Sequence, residues 1–205
     1  MKSFLIVLAI SICFGAGLYY LVLPTTVRSV PVKNPIICFG DSITEGYILK
    51  RTYSYPHQLG LLIGEEIINT GISGESSGQG LKRLKKDVLD KNPRLVIVQF
   101  GGNDAYFGIS REKTLANNDL IVENIQKSGA VAVLLIGEAN MLEPKYLQGF
   151  REIANRRKIL LIEDAMDEII KDWGLRVDGV HPNARGHKIL AGNVARAVKP
   201  LLQGR

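Results

Sequence analysis

Ile36-Ile37-Cys38-Phe39-Gly40-Asp41-Ser42-Ile43-Thr44 is an apolar run that stops at a glycine and passes directly into a polar turn. The run is continuous rather than alternating, the pattern of a strand buried on both faces. Leu95 to Phe100, Ala130 to Ile136 and Ile159 to Ile162 repeat it, and Glu66 to Asn69 is a weaker fifth candidate. Between these runs the apolar positions take helical spacing, as in Leu81, Leu84 and Val88, or Ile121 and Ile125. Such β-α alternation predicts an α/β domain with a mainly parallel five-stranded sheet and helices on both faces. Ligands of such sheets bind beyond the carboxyl ends of the strands.

Outward from this domain the chain divides into three. From Phe4 to Leu23 no residue is charged. At about 1.5 Å per residue the run spans roughly 30 Å of hydrocarbon, so residues 1–24 read as one hydrophobic helix serving as a membrane anchor, with a cleaved signal as the rival. Cys13 is a poor lipoprotein cysteine because bulky Ile12 precedes it. Residues 25–34, rich in Pro, Thr, Ser and Val, read as an extended linker. Residues 35–205 form one domain, expected as a monomer outside the cytoplasm. With 205 residues and 46% hydrophobic content, the chain can bury a sizeable core without staples. Its two cysteines, Cys13 and Cys38, suggest neither a disulfide framework nor a metal cluster. The net charge of +6 is scattered. Small basic groups at Lys82, Arg83, Lys85, Lys86 and at Arg156, Arg157, Lys158 read as solvated helix faces, and no aromatic residues interleave with them, so nucleic acid is not an expected partner.

Four segments could carry chemistry. Ser42 sits at a strand-to-helix turn, well placed to attack, although a plain helix cap at Asp41 or Ser42 would use the same residues. Asn69-Thr70-Gly71-Ile72-Ser73-Gly74 follows the weak strand, and its glycines allow a backbone N–H to approach a ligand oxygen, as an ordinary turn also would. The overlapping Gly74-Glu75-Ser76-Ser77-Gly78 matches a Gly-x-Ser-x-Gly elbow, but Ser76 lies too far past Asn69 for a strand end and is read as a decoy. Gly101-Gly102-Asn103-Asp104 follows the most convincing strand and offers a side-chain amide for an oxyanion, or an Asx turn. Asp178-Gly179-Val180-His181-Pro182-Asn183 precedes a helical stretch through Ile189, Leu190, Val194 and Val198, with Pro182 suited to the first helical turn. An Asp three residues before a His can reach back to orient the imidazole, as the base of a serine nucleophile requires. His57 and His187 have no comparable carboxylate and read as structural or surface residues.

Together and in this order, the four segments resemble the signature blocks of the SGNH hydrolases, also called GDSL esterases, over roughly residues 35 to 202. The likeness is to the bacterial thioesterase I, lysophospholipase L1 and arylesterase branch. Ile43 stands where the family name has Leu, and Glu75 where that branch has Asp. The resemblance implies a three-layer α/β/α sandwich with a flavodoxin-like sheet. It also implies a serine hydrolase of carboxylic esters or thioesters, with Ser42 as nucleophile and Asp178 and His181 as its acid-base pair. The Ser42 and Gly74 backbone N–H groups and the Asn103 side chain would form the oxyanion hole, with no metal or organic cofactor. The expected partner is a small-molecule or lipid ester. Two alternatives stay open: an acyltransferase using the same residues, and a nucleotide- or phosphate-binding module built on the glycine-rich loop from Gly71 to Gly80. The second lacks both Gly-x-Gly-x-x-Gly and a P-loop signature there.

Overall fold

The computed structural model describes residues 34–137 and 143–203. Five strands, β1 (Ile36–Gly40), β2 (Ile67–Asn69), β3 (Leu95–Gln99), β4 (Val131–Leu135) and β5 (Leu160–Ile162), form one sheet in the order β2-β1-β3-β4-β5. All four pairings are parallel, with Ile36 opposite both Ile67 and Leu95. The helices are α1 (Ser42–Glu45), α2 (Tyr55–Ile63), α3 (Ser77–Asp87), α4 (Gly102–Tyr106), α5 (Arg111–Lys127), α6 (Pro144–Arg157), α7 (Asp167–Lys171) and α8 (Ala184–Gln203).

The continuous apolar runs follow from two cores, one on each face. Ile36, Cys38, Leu95, Ile97, Val131 and Val133 point to a layer containing α2, α7 and α8, through Tyr55, Leu59, Ile169, Leu190 and Val194. Ile37, Phe39, Val96, Val98, Ala132 and Leu134 point to a layer containing α3, α5 and α6, through Leu84, Ile121, Ile125, Phe150 and Ile153. Alternate side chains of one strand serve opposite layers, so every position must be apolar. Full burial of each such Ile, Leu or Phe contributes about 1.5–3 kcal/mol. The expected three-layer sandwich is therefore present, and the β2-β1-β3 order puts the reversal of winding between β1 and β3, where doubly wound sheets open a crevice. Ser42 follows β1 and Asn103 follows β3, one on each side of that crevice.

Two expectations need correction. Pro182 is not in a helical turn: it pairs with Arg176 in an isolated bridge, and Asn183 caps α8 by accepting the N–H groups of Arg185 and Gly186 at 3.0 and 3.1 Å. Of the basic groups, Lys82, Lys85 and Lys86 are exposed, but the Arg83 side chain is only 13% exposed and grips Glu75 and Asp87 at 2.5 and 3.1 Å. Arg157 likewise grips Asp119 and Glu123 at 2.7 and 3.0 Å. Among the described residues no helix is long and apolar enough to cross a membrane. The expected hydrophobic helix within residues 1–24 and the linker as far as Lys33 lie outside the described residues.

Candidate active site

Chain and glycine chemistry bring Ser42 to the sheet edge. A Cβ on Gly40 would lie 2.3 Å from Thr44 Oγ1 and 2.6 Å from the Gln99 carbonyl, so only glycine lets β1 turn this tightly against β3. Asp41 then caps α1, its Oδ1 accepting the Ile43 N–H at 3.1 Å, which leaves Ser42 as the first helical residue. Capping and nucleophile readings thus fall on different residues: Asp41 caps, and the Ser42 hydroxyl faces His181, with Oγ 2.8 Å from Nε2.

The segment from Asp178 to His181 folds on its own aspartate. Asp178 Oδ1 accepts the N–H groups of Val180 and His181 at 2.9 and 2.8 Å, and Oδ2 lies 2.7 Å from His181 Nδ1. The Val177 N–H closes the loop on the His181 carbonyl at 2.9 Å. A carboxylate facing Nδ1 holds the proton there and leaves Nε2 as an acceptor for the serine hydroxyl. Burial acts upward on the Asp178 carboxyl. It is outweighed by the His181 and Val180 N–H groups and by the imidazole, which hold the group below the usual carboxylate range. Tyr47 stacks on the other face of this arrangement, its ring 4.2 Å from that of His181 at 28°.

The loop after β2 lies against the same edge. The Thr70 and Ile72 N–H groups donate to the Cys38 and Gly40 carbonyls at 2.9 and 3.1 Å, and the Ser73 hydroxyl donates to the Glu45 carboxylate. Gly74 has φ of +79°, a left-handed conformation that L side chains rarely adopt. Directly after it, the Glu75 carbonyl accepts Asn103 Nδ2 at 3.0 Å, tying the third segment to the second. Asp104 completes the join by accepting the Ser77 N–H at 2.7 Å and the Ser77 hydroxyl at 2.5 Å.

The remaining candidates fall elsewhere. Ser76 caps α3 in a reciprocal box with Gln79, and its hydroxyl bonds Gln79 at 3.0 Å. His57 is exposed. His187 is fully buried and accepts the Tyr55 N–H on Nδ1 at 3.1 Å, a structural role. Burial, and then the charge of nearby His181, push it down to about 4.

A profile of the GDSL-like lipase/acylhydrolase family matches residues 38–189. The chain belongs to this family. It is an ester hydrolase with the GDSL fold. It is 27% identical over 177 residues to the thioesterase 1/protease 1/lysophospholipase L1 of Escherichia coli K12, covering 82% of this chain and 85% of that one. The crystal structure of TesA superposes with a TM-score of 0.74 at 25% identity, covering 82% of this chain and all of the other. AlinE4, an SGNH-hydrolase family esterase, superposes with a TM-score of 0.63 at 31% identity, over 86% of this chain and 100% of that one.

Three residues of this GDSL hydrolase site escape a reading by motif. Tyr47 carries no chemistry of its own and is found only through its stacking on His181. Asp104 neighbours Asn103 and bonds Ser77 across a separation no local pattern reveals. Arg83 is disguised as one member of a basic helix. Among the described residues, no group of three or more His, Cys, Asp or Glu side chains is placed to hold a metal ion.

Proposed function

We propose that this hydrolase cleaves carboxylic esters or thioesters through an acyl-enzyme on Ser42. The observation that carries the reading is the continuous relay Ser42 Oγ, His181 Nε2, His181 Nδ1, Asp178 Oδ2, with contacts of 2.8 and 2.7 Å. As Ser42 attacks the carbonyl carbon, its proton passes to Nε2, and Asp178 holds the resulting imidazolium. The collapsing tetrahedral intermediate expels the alcohol or thiol, which takes the proton from Nε2. A water then repeats the sequence against the acyl group, with His181 again the base. The Ser42 and Gly74 backbone N–H groups and the second Asn103 Nδ2 hydrogen are the donors for the oxyanion.

Substrates with an apolar acyl or aryl part fit the surroundings. Ile48, Tyr106, Phe107 and Trp173 are 73, 83, 58 and 70% exposed, and each lies on a segment that also carries a site residue. The adjoining Tyr106 and Phe107 rings, 5.3 Å apart just after Asn103, offer such a part an apolar contact. Ser42→Ala is expected to abolish hydrolysis of p-nitrophenyl esters while leaving the melting temperature intact. Retained turnover in a folded Ser42→Ala protein contradicts the assignment. We also read residues 4–23 as the segment that exports and anchors the domain, because this uncharged run is long enough to span a bilayer. The full chain then stays with membranes through carbonate washing, whereas a chain beginning at Lys33 is soluble and active. Release of the full chain by carbonate contradicts anchoring.

A further inference from the structure

Arg83, on α3, is the most heavily engaged cation at the sheet edge. Its Nε donates to Glu75 Oε2 at 2.5 Å, and Nη1 to the Thr70 carbonyl at 2.8 Å and to Asp87 Oδ2 at 3.1 Å. Nη2 donates to the Gly40 carbonyl at 3.1 Å, and the guanidinium carbon lies 4.5 Å from the centre of the Phe39 ring. The side chains of Arg83 and Glu75 are only 13 and 15% exposed, so the pair is shielded from the screening that weakens surface ion pairs. One planar group therefore joins the last residue of β1, the first residue after β2 and the loop bearing Gly74. Lysine, a point charge with three donors, cannot span these acceptors in the same geometry.

We propose that Arg83 is a positioning residue that aims the oxyanion hole, acting through Glu75. This rests on the reading of Ser42 as nucleophile and of Gly74 and Asn103 as oxyanion donors. The Glu75 side chain is held by Arg83, and the Glu75 carbonyl holds one Asn103 Nδ2 hydrogen at 3.0 Å. An amide nitrogen carries two hydrogens at a fixed angle, so fixing one aims the other. The residue before Gly74 is held separately, by the Ser73 N–H on the Glu45 carboxylate at 2.9 Å. The Asn103 donor is therefore the one that depends on the guanidinium. Through the Gly40 carbonyl the same group steadies the strand end that delivers Ser42. Misplacement of a catalytic group by about 1 Å costs on the order of a hundredfold. Glu75, which replaces the aspartate of the resembled branch, is long enough to reach a partner eight positions along the chain on α3.

The test is a cycle of variants in the full-length protein, with active sites titrated by a fluorophosphonate, so that kcat is counted per competent site. Arg83→Met preserves the stem over Phe39 but removes the fork. It is expected to lower kcat about ten- to a hundredfold with little change in KM, and to weaken a boronic acid that forms a tetrahedral adduct by a similar factor. Glu75→Gln, which keeps an acceptor and tests the same link with less risk to folding, is expected to lower kcat in the same direction by a smaller factor. Arg83→Lys should recover part of the loss. Asp87→Asn, which removes only the flanking partner, should leave kcat unchanged. In an Asn103→Ala background, Arg83→Met should cost much less than in the parent, because the donor it aims is gone. An unchanged kcat per titrated site in both Arg83→Met and Glu75→Gln overturns the proposal, as do losses that simply add to that of Asn103→Ala. If Arg83→Met fails to fold, Glu75→Gln alone decides by the same criterion. A silent Asn103→Ala also overturns it, while activity surviving in Ser42→Ala instead overturns the underlying assignment of the nucleophile.

Discussion

Two of the aspartates and two histidines near the carboxyl end of this sheet behave in opposite ways. In the open loop, Asp178 accepts two backbone N–H groups and faces an imidazole, which keeps it ionised. At the buried end of β1, Asp41 is fully enclosed, and burial pushes it up to about 7 against the Ile43 N–H and the Gln99 amide, with Asp104 adding to the rise. His181 lies between a carboxylate and a hydroxyl, whereas His187 is enclosed, held neutral and given to the Tyr55 N–H. Residue type therefore does not assign the role here. Burial, and the number of donors or acceptors supplied by the local backbone, do.

The sharpest attempt to break this contrast replaces one member on each side. Asp178→Asn leaves the shape of the loop but removes the charge that holds the imidazolium, and it is expected to lower kcat on the order of ten-thousandfold, as in other enzymes with this relay. His187→Ala should leave kcat near the parent value. It should cost about 1–3 kcal/mol of stability in denaturant unfolding, because a buried Tyr55 N–H loses its acceptor. Equal kcat losses at the two positions would erase the distinction. Asn103→Ala, which removes a neutral donor from the same edge, is expected to lower kcat about a hundred- to a thousandfold with a smaller effect on KM. A near-parent kcat would remove Asn103 from the oxyanion hole.

The smallest effect concerns pH and stability. Asp41 binds its proton in the folded chain up to about pH 7, and only to its ordinary value of 3.8 when unfolded. The unfolded state therefore holds fewer protons between these values, and stability falls as pH rises, at most about 1.4 kcal/mol per unit. His187 works the other way: folded, it stays neutral down to about 4, whereas its ordinary value is 6.5, so stability rises with pH across that window. The two slopes oppose each other in the parent between about pH 4 and 6.5. Asp41→Asn should unmask the rise, which urea unfolding at a series of pH values measures. A slope identical to that of the parent would show that Asp41 does not titrate differently in the folded state.

Much of this contrast was legible in the amino acids alone. Local pattern places Ser42 and Asn103 just after strand ends and Asp178 and His181 just before a helix, while their union with Gly74 in one site was implied by the resemblance of the segments, in order, to the family's signature blocks. The two-sided burial of Ile36 to Phe39 reports a parallel sheet. What escaped is long-range. Arg83 looks like its neighbours Lys82 and Lys85 until α3 is packed beside β1, and nothing near Tyr47 in the sequence says that His181 will stack on it. Pro182 misled because its usual place in a first helical turn gave way to a bridge with Arg176.

The central claim is that Ser42, and not another serine of the same loops, is the residue activated by His181. Reaction of the full chain with a fluorophosphonate, followed by peptide mass spectrometry, locates the covalent adduct directly. A single adduct on the peptide carrying Ser42, formed far more slowly in Asp178→Asn, is the predicted result. An adduct on the peptide carrying Ser76, with the Ser42 peptide unmodified, would contradict the account.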